Sequence, residues 1–422
     1  MIPAVNKTVL ANGIRILTKK MPHIRSVSMG VWVNAGARDE ALPENGLSHF
    51  IEHMIFKGTR KRTAFQIAKE FDAIGGLTNA FTTMENTCCH AKVMDSHLET
   101  MVEILSDIFL NSVFDAQEVE KERPVILQEA GMVEDTPDEY AHVLLGNNFW
   151  GNNPLGRSII GTCENILRFD AETIKEFFHR FYQPERIVIA AAGNISHDSL
   201  VDLIGPLFEK IEPGNNSFSE RITPQGHFLV NPHYRDLEQV HVCLGTQGIS
   251  ITDPRRYAFS LLNTILGGNM SSRLFQEIRE RKGLAYSVYS FTTPHIDTGM
   301  FGVYAGVDPK KALETTELIV KEIRKLKEKR VSSTELQDAK EFTKGSLLLA
   351  SESNDNQMVR LAQGEIHFGH YISWQEVLDN IESVTVDDIF DLAESLFQTK
   401  QLALTILGPV TDKKSFENIL YL

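Results

Sequence analysis

The chain has 422 residues, 42% hydrophobic and 23% charged, with 28 Gly and 15 Pro. At roughly 150 residues per domain this allows two or three domains or one doubled chain, and it excludes a peptide-sized module and a disordered or collagenous polymer. Lys plus Arg 42 against Asp plus Glu 56 leaves a net charge of −14, which disfavours a surface that tracks phosphates and favours basic partners, so no nucleic acid is expected as ligand.

The first twenty residues, MIPAVNKTVLANGIRILTKK, lack both the basic-then-apolar order of a secretory signal and the Arg- and Ser-rich character of a transit peptide. The longest strongly apolar run, IVIAAA at 187–192, falls well short of the ~20 residues that cross a bilayer. A cytoplasmic protein without membrane insertion is the expectation. Cys88, Cys89, Cys163 and Cys243 are too few for a disulfide framework, and no CxxC pair marks a zinc knuckle. The adjacent Cys88 and Cys89 point to opposite faces of a strand, one packed and one exposed.

In chain order, an alternating strand (SVSMGVWVNAG, 26–36) precedes a helical stretch, ENGLSHFIEHMIFKGT, for which Gly58 is a plausible stop. A second helix and a strand pair follow in FQIAKEFDAIGGLTNAFTTMENTCCHAKV (65–93), then long amphipathic helices and a closing strand. The order then repeats. FQIAKEF at Phe65 resembles FQEIRER at Phe275, and FTT at 81–83 recurs at 291–293, both at an offset of 210 residues. YQPERIVIAAAG from Tyr182 parallels FQTKQLALTILG from Phe397 at an offset of 215. Two similar halves are expected: residues 1–212 and 227–422, joined by a Pro-, Gly-, Asn- and Ser-rich linker at 213–226. Strands and helices without strict βαβ alternation make each half α+β, with a mostly antiparallel sheet and packed helices.

Within HFIEH, His49 and His53 stand at i and i+4, so on a helix both imidazoles leave one face about a turn apart, a spacing that suits one Zn²⁺. Glu52 lies on the same side and can reach a water without being a ligand, which is the position of a general base. Two solvent-facing histidines and an unrelated glutamate would give the same pentapeptide. The order HxxEH, however, inverts the HExxH zincin motif and names the inverzincin peptidases. Further on, VEKERPVILQEAGM offers Glu122 and Glu129, seven residues apart and therefore on one helical face, although Pro124 between them can kink the helix.

HFIEHMIFKGT, GGLTNAFTT (75–83), NPLGRSIIG (153–161) and GGNMSSRLFQEIRERKGLAYSVYS (267–290) occur here in the order of the M16 peptidases, and the chain resembles that family along its whole length. The family contains pitrilysin, insulin-degrading enzyme and the mitochondrial processing peptidase, and the resemblance is to its short two-domain branch with the processing peptidase β-subunit. It implies a clam shell of two domains around a chamber, closing on extended peptides. It further implies one zinc per chain on His49, His53 and Glu129, with Glu122 supporting a metal-bound histidine and Glu52 as catalytic base. Arg279 and Tyr286 would reach the substrate, and Asn79, Ala80 and Phe81 would pair with substrate backbone. A homodimer is the implied assembly. Shifting His49, Glu52 and His53 by 210 lands on Phe259, Leu262 and Asn263, so the second half cannot repeat the metal chemistry. The expected function is a zinc-dependent endopeptidase acting on peptides or precursor segments, with an acidic balance that fits basic substrates. A noncatalytic assembly subunit, or one half of a heteromeric processing peptidase, is the alternative. Glu365, His367 and His370 in GEIHFGH could be drawn as a second metal site, but no further donor element accompanies them.

Overall fold

The computed structural model describes residues 5–214 and 220–422; residues 215–219 of the expected linker lie outside the described residues. Its contacts divide the chain into two units. Neither is a continuous half of the sequence. The first draws on Met1–Gly131, Arg157–Arg221 and Leu349–Tyr371, and the second on Met132–Gly156, Ile222–Leu348 and Ile372–Leu422.

In the first unit, the strands are β1 (Val5–Val9), β2 (Arg15–Lys20), β3 (Ser26–Val33), β4 (Leu77–Thr82), β5 (Thr87–Met94) and β6 (Ile187–Gly193). They form a sheet of order β1-β2-β6-β3-β5-β4 in which only β2 and β6 run parallel. β4 is therefore an edge strand, paired on one side only. One sheet face is covered by α1 (Leu47–Met54), α3 (Leu98–Asn111), α7 (Ala171–Phe181) and α8 (His197–Phe208), after α2 (Ala64–Ala73) has led into β4. Two long helices follow α3: α4 (Ala116–Asp135) and α5 (Pro137–Trp150), with the short α6 (Cys163–Arg168) behind them.

The second unit repeats the plan with β7 (Leu229–Tyr234), β8 (Val240–Gln247), β9 (Ala285–Pro294), β10 (Gly299–Val307) and β11 (Ala403–Gly408), in the order β7-β11-β8-β10-β9. Again a single pair, β7 with β11, is parallel. Superposing β7, β11, β8, β10 and β9 on β2, β6, β3, β5 and β4 reproduces both order and direction, so the duplication read from sequence is a duplication of topology. The helices of this half are α9 (Arg256–Gly267), α10 (Ala312–Glu328), α11 (Ser333–Ala350), α12 (Asn354–Phe368), α13 (Trp374–Ser383), α14 (Val386–Leu396) and α15 (Lys413–Ile419).

The discontinuity of the units has a simple content: each half of the sequence gives one helix to the other sheet. α12 packs on β2, β3 and β6 of the first unit, where Met358, Leu361 and Ala362 close an apolar cluster with Trp32, Cys88, Val188 and Ala190. α5 likewise covers β8 and β11 in the second unit. This corrects the reading of the vicinal thiols. Both are buried, Cys89 under the helices of the first face and Cys88 under α12, because the sheet is covered on both sides. It also accounts for Glu365, which is no ligand: its carboxylate pairs with Lys7 at 2.7 Å and lies 3.9 Å from Arg15. Among the described residues no helix is long and apolar enough to cross a membrane.

Candidate metal centre

α1 is short, and its sequence divides cleanly between two duties. Leu47, Phe50, Ile51 and Met54 recur at i, i+3, i+4 and i+7 and are all buried in the core. His49, Glu52 and His53 occupy the remaining face. The second support is α4, whose stripe of Val119, Glu122, Arg123 and Ile126 faces inward. Arg123 fastens α4 by donating to the carbonyls of Ile166 and Phe169. The helix runs through Pro124 without a break, so the interruption that proline suggested does not occur, and Glu122 and Glu129 keep their common face.

These two helices bring three donors together. Glu129 Oε1 lies 3.5 Å from His49 Nε2, Glu129 Oε2 lies 3.3 Å from His53 Nε2, and one ligand atom from each of the three residues falls within 4.8 Å of the others. The imidazole rings stand 4.8 Å apart in an edge arrangement. Among the described residues no other group of three His, Cys, Asp or Glu side chains converges in this way.

The protonation pattern fits a cation. His53 Nδ1 is 2.9 Å from Glu122 Oε1, and since a carboxylate only accepts, Nδ1–H donates there and Nε2 is the ring atom turned toward Glu129. His53 Nε2 is thereby directed to the point where the three donors converge. Burial, and then the neighbouring His53, push the His49 imidazole down to about 4 against the opposing pull of Glu129. It is thus a neutral donor at ordinary pH, as a metal ligand must be.

Glu122 is buried and held twice, by His53 and by Lys57 Nζ at 2.5 Å. Burial raises its carboxyl, but the hydrogen bonds from Lys57 and His53 outweigh this and leave it below the usual range. It is therefore an anion that orients the His53 ring, the arrangement by which outer partners tune metal ligands. Glu122→Gln should weaken zinc affinity by about 10- to 100-fold while the chain stays folded, measured by chelator competition; unchanged affinity would remove Glu122 from this role. Lys57 was missed in the sequence, although it sits at i+4 from His53 within HFIEHMIFKGT.

Glu52 is half-buried. Burial raises its carboxyl, against hydrogen bonds from Thr82 and the nearby His53. Thr82 is the last residue of β4, so the edge strand and the face of α1 meet at this carboxylate, and Thr82 Oγ1 also donates to the Ser48 carbonyl. Of the three strand residues singled out, Asn79 is exposed, Ala80 is buried, and Phe81 packs edge-on against Trp32 at 5.2 Å.

Arg279 and Tyr286 belong to the second unit and lie together there. Arg279 sits on a π-helical segment, Phe275–Arg281, with its guanidinium 4.7 Å from the Tyr286 ring centroid and 4.7 Å from that of Phe275. Tyr286 near the start of β9 is 81% exposed. The pair is a stacked cation and phenol offered to solvent, and sequence spacing alone did not reveal the stacking.

The insulinase (peptidase family M16) model matches residues 15–163, and the peptidase M16 inactive domain model matches residues 168–342. The uncharacterized zinc protease YmxG of Bacillus subtilis is 40% identical over 399 residues, covering 94% of this chain and 97% of that protein. An uncharacterized zinc protease of Streptomyces coelicolor is 38% identical over 421 residues, covering 98% and 92%. Among solved structures, a protease from Helicobacter pylori aligns with a TM-score of 0.92 at 22% identity, over 97% of this chain and 100% of that one. A chain of complex III2 from Candida albicans aligns at 0.86 with 20% identity, over 99% and 100%. At these identities the two structures speak for the fold alone.

Proposed function

The chain belongs to the M16 (insulinase) peptidase family, and on that premise we propose that it is a zinc-dependent endopeptidase acting on extended peptides or precursor segments inside an enclosed chamber. The observation that carries this reading is the convergence of His49 Nε2, His53 Nε2 and the Glu129 carboxylate, with Glu52 on the same helical face. One Zn²⁺ per chain on these three donors supplies a Lewis acid and lowers the pKa of water toward neutrality. Glu52 takes the proton of the water that attacks the scissile carbonyl and later hands it to the departing amine. Glu122 keeps His53 in the tautomer that presents Nε2.

The free edge of β4, through Asn79, Ala80 and Phe81, gives an extended substrate a strand to pair with. Main-chain hydrogen bonds are independent of side chains, which fits diverse substrate sequences. Arg279 and Tyr286 donate to the oxyanion that develops at the carbonyl, the kind of aimed donor that stabilises such charge. We place the protein in the cytoplasm as a homodimer.

Residues 118–139 hold eight Asp or Glu against two Lys or Arg, which favours basic peptides. Cleavage of an Arg- and Lys-rich peptide should therefore slow as salt rises from low to physiological strength, while a neutral peptide is unaffected; a flat response for both would refute electrostatic selection. The proposal itself is tested with a quenched fluorescent peptide. Cleavage should stop in chelator and return with added zinc, and cleavage that persists in chelator overturns it. The second reading, a noncatalytic or partner-dependent subunit, draws on the inactive-domain match, which covers 168–342 and so excludes the donor set. An isolated chain that binds zinc but cleaves nothing would favour it.

A further inference from the structure

α1 begins without a cap of its own. Its N-cap is Gly46, which has no side chain and stands at φ +108°, a backbone region that excludes the usual Ser, Thr or Asp cap at little cost only to glycine. The donors at the helix start are met from outside by Glu40. Its Oε1 accepts from the Ser48 backbone N–H at 2.7 Å, and its Oε2 accepts from the Gly46 N–H at 2.8 Å and from Asn45 Nδ2 at 3.1 Å. The side chain is buried, at 2% exposure.

This arrangement is braced by a segment that the sequence singled out and that the proposed chemistry leaves without a role, NPLGRSIIG. Arg157 Nη1 donates to the Glu40 carbonyl at 2.9 Å, and Asn45 Nδ2 donates to the Ser158 carbonyl at 2.9 Å. Gly161, at φ +90°, lies against Asn45 so closely that a Cβ there would stand 2.4 Å from the Asn45 carbonyl oxygen. A Cβ on Gly46 would stand 2.6 Å from the Ile160 carbonyl oxygen. Two backbones thus touch where α1 starts, and Glu40 closes the contact.

We propose that Glu40 is a positioning residue for the metal centre: it caps α1 from a distance and, with Arg157–Gly161, fixes where His49 and His53 stand relative to Glu129. The inference rests on the zinc peptidase reading. A carboxylate at a helix N-terminus is favoured by the macrodipole and by charge-assisted hydrogen bonds. Burying it is nevertheless costly. Burial pushes the Glu40 carboxyl up to about 7, against the pull of the Ser48 and Gly46 N–H groups. A local hydroxyl cap would satisfy a helix start without a buried carboxyl, so what Glu40 secures is the placement of the helix, whose third residue is the first donor.

The test uses the full chain, with zinc as the probe. Glu40→Gln sets an NH₂ against the donors and should weaken zinc affinity about 10- to 100-fold in chelator competition. At saturating zinc it should lower kcat with KM held within about 2-fold, the signature of a misplaced centre in place of a lost substrate contact. A variant that melts lower yet binds zinc as the wild type does overturns the proposal, since a purely structural cap behaves that way. Should Glu40→Gln not fold, Asn45→Ala decides: it removes one of three donors and leaves the carboxylate, so weaker zinc binding supports the proposal and unchanged binding overturns it. Wild-type protein that binds no zinc removes the underlying reading too, whereas wild type and Glu40→Gln binding zinc equally well removes only the role of Glu40.

Discussion

Glu52→Gln is expected to hold zinc as tightly as the wild type and to lose turnover by about 10²- to 10⁴-fold, the range that a positioned general base contributes. The split follows from where the side chain stands. Glu52 shares with the two histidines the face of α1 that Leu47, Phe50, Ile51 and Met54 leave to them, but is not among the three converging donors. Its amide is nearly the same size, so the packing around Thr82 and the fold of α1 are retained. What is lost is the capacity to take a proton. Metal content by mass spectrometry and kcat on a quenched peptide together decide the matter. A variant with full zinc and near wild-type kcat would assign the proton transfer to another group, and one without zinc would make Glu52 a ligand.

Glu129→Ala should show the opposite pattern, with zinc affinity falling by more than the ~100-fold typical of outer partners. Of the three converging donors Glu129 alone is not on α1, and its two oxygens face one histidine each. Without it the metal is left with two imidazoles one turn apart, short of the three protein ligands that a catalytic zinc site uses. Its carboxylate is 42% exposed, so truncation leaves no buried cavity and the melting temperature of the metal-free protein should hardly change. The same titration ranks the variants: Glu129→Ala below Glu122→Gln, and Glu122→Gln below Glu52→Gln. If Glu129→Ala keeps wild-type affinity, the third donor lies elsewhere.

Much of this centre could be read from residue spacing because a helix converts spacing into direction. The i, i+4 histidines and the glutamates seven apart needed only two helices facing one another, and the apolar residues between them, Leu47, Phe50 and Ile51 on α1 and Val119 and Ile126 on α4, say which way each helix turns. The exchange of helices was not legible. α12 presents Asp355, Gln357 and Glu365 to the first sheet, where they pair with Lys92, Lys19 and Lys7, residues hundreds of positions away. The apolar stripe of Met358, Leu361 and Ala362 says that α12 packs but not on which sheet, so the sequence paired Glu365 with no lysine and left one of the two vicinal thiols exposed. Glu40 escaped notice for a related reason. Capping is sought in the residue next to the helix, and here the glycine at that place has passed the task to a side chain six residues back, an arrangement visible only when Asn45, Gly46 and Ser48 are seen to point at one carboxylate. Arg279 and Tyr286, seven apart across a π-helical turn and the start of a strand, carried no geometric signal at all until their stacking was seen.

The proposed chemistry depends on the identity of the atoms around one metal ion. X-ray absorption at the zinc edge, on the full chain loaded with one equivalent of zinc, reads those atoms directly. The expected first shell contains two imidazole nitrogens and carboxylate or water oxygens near ~2.0–2.2 Å, with the imidazole scattering reduced in His49→Ala and in His53→Ala. A shell containing sulfur, a shell without imidazole, or a spectrum unchanged by both substitutions would contradict it.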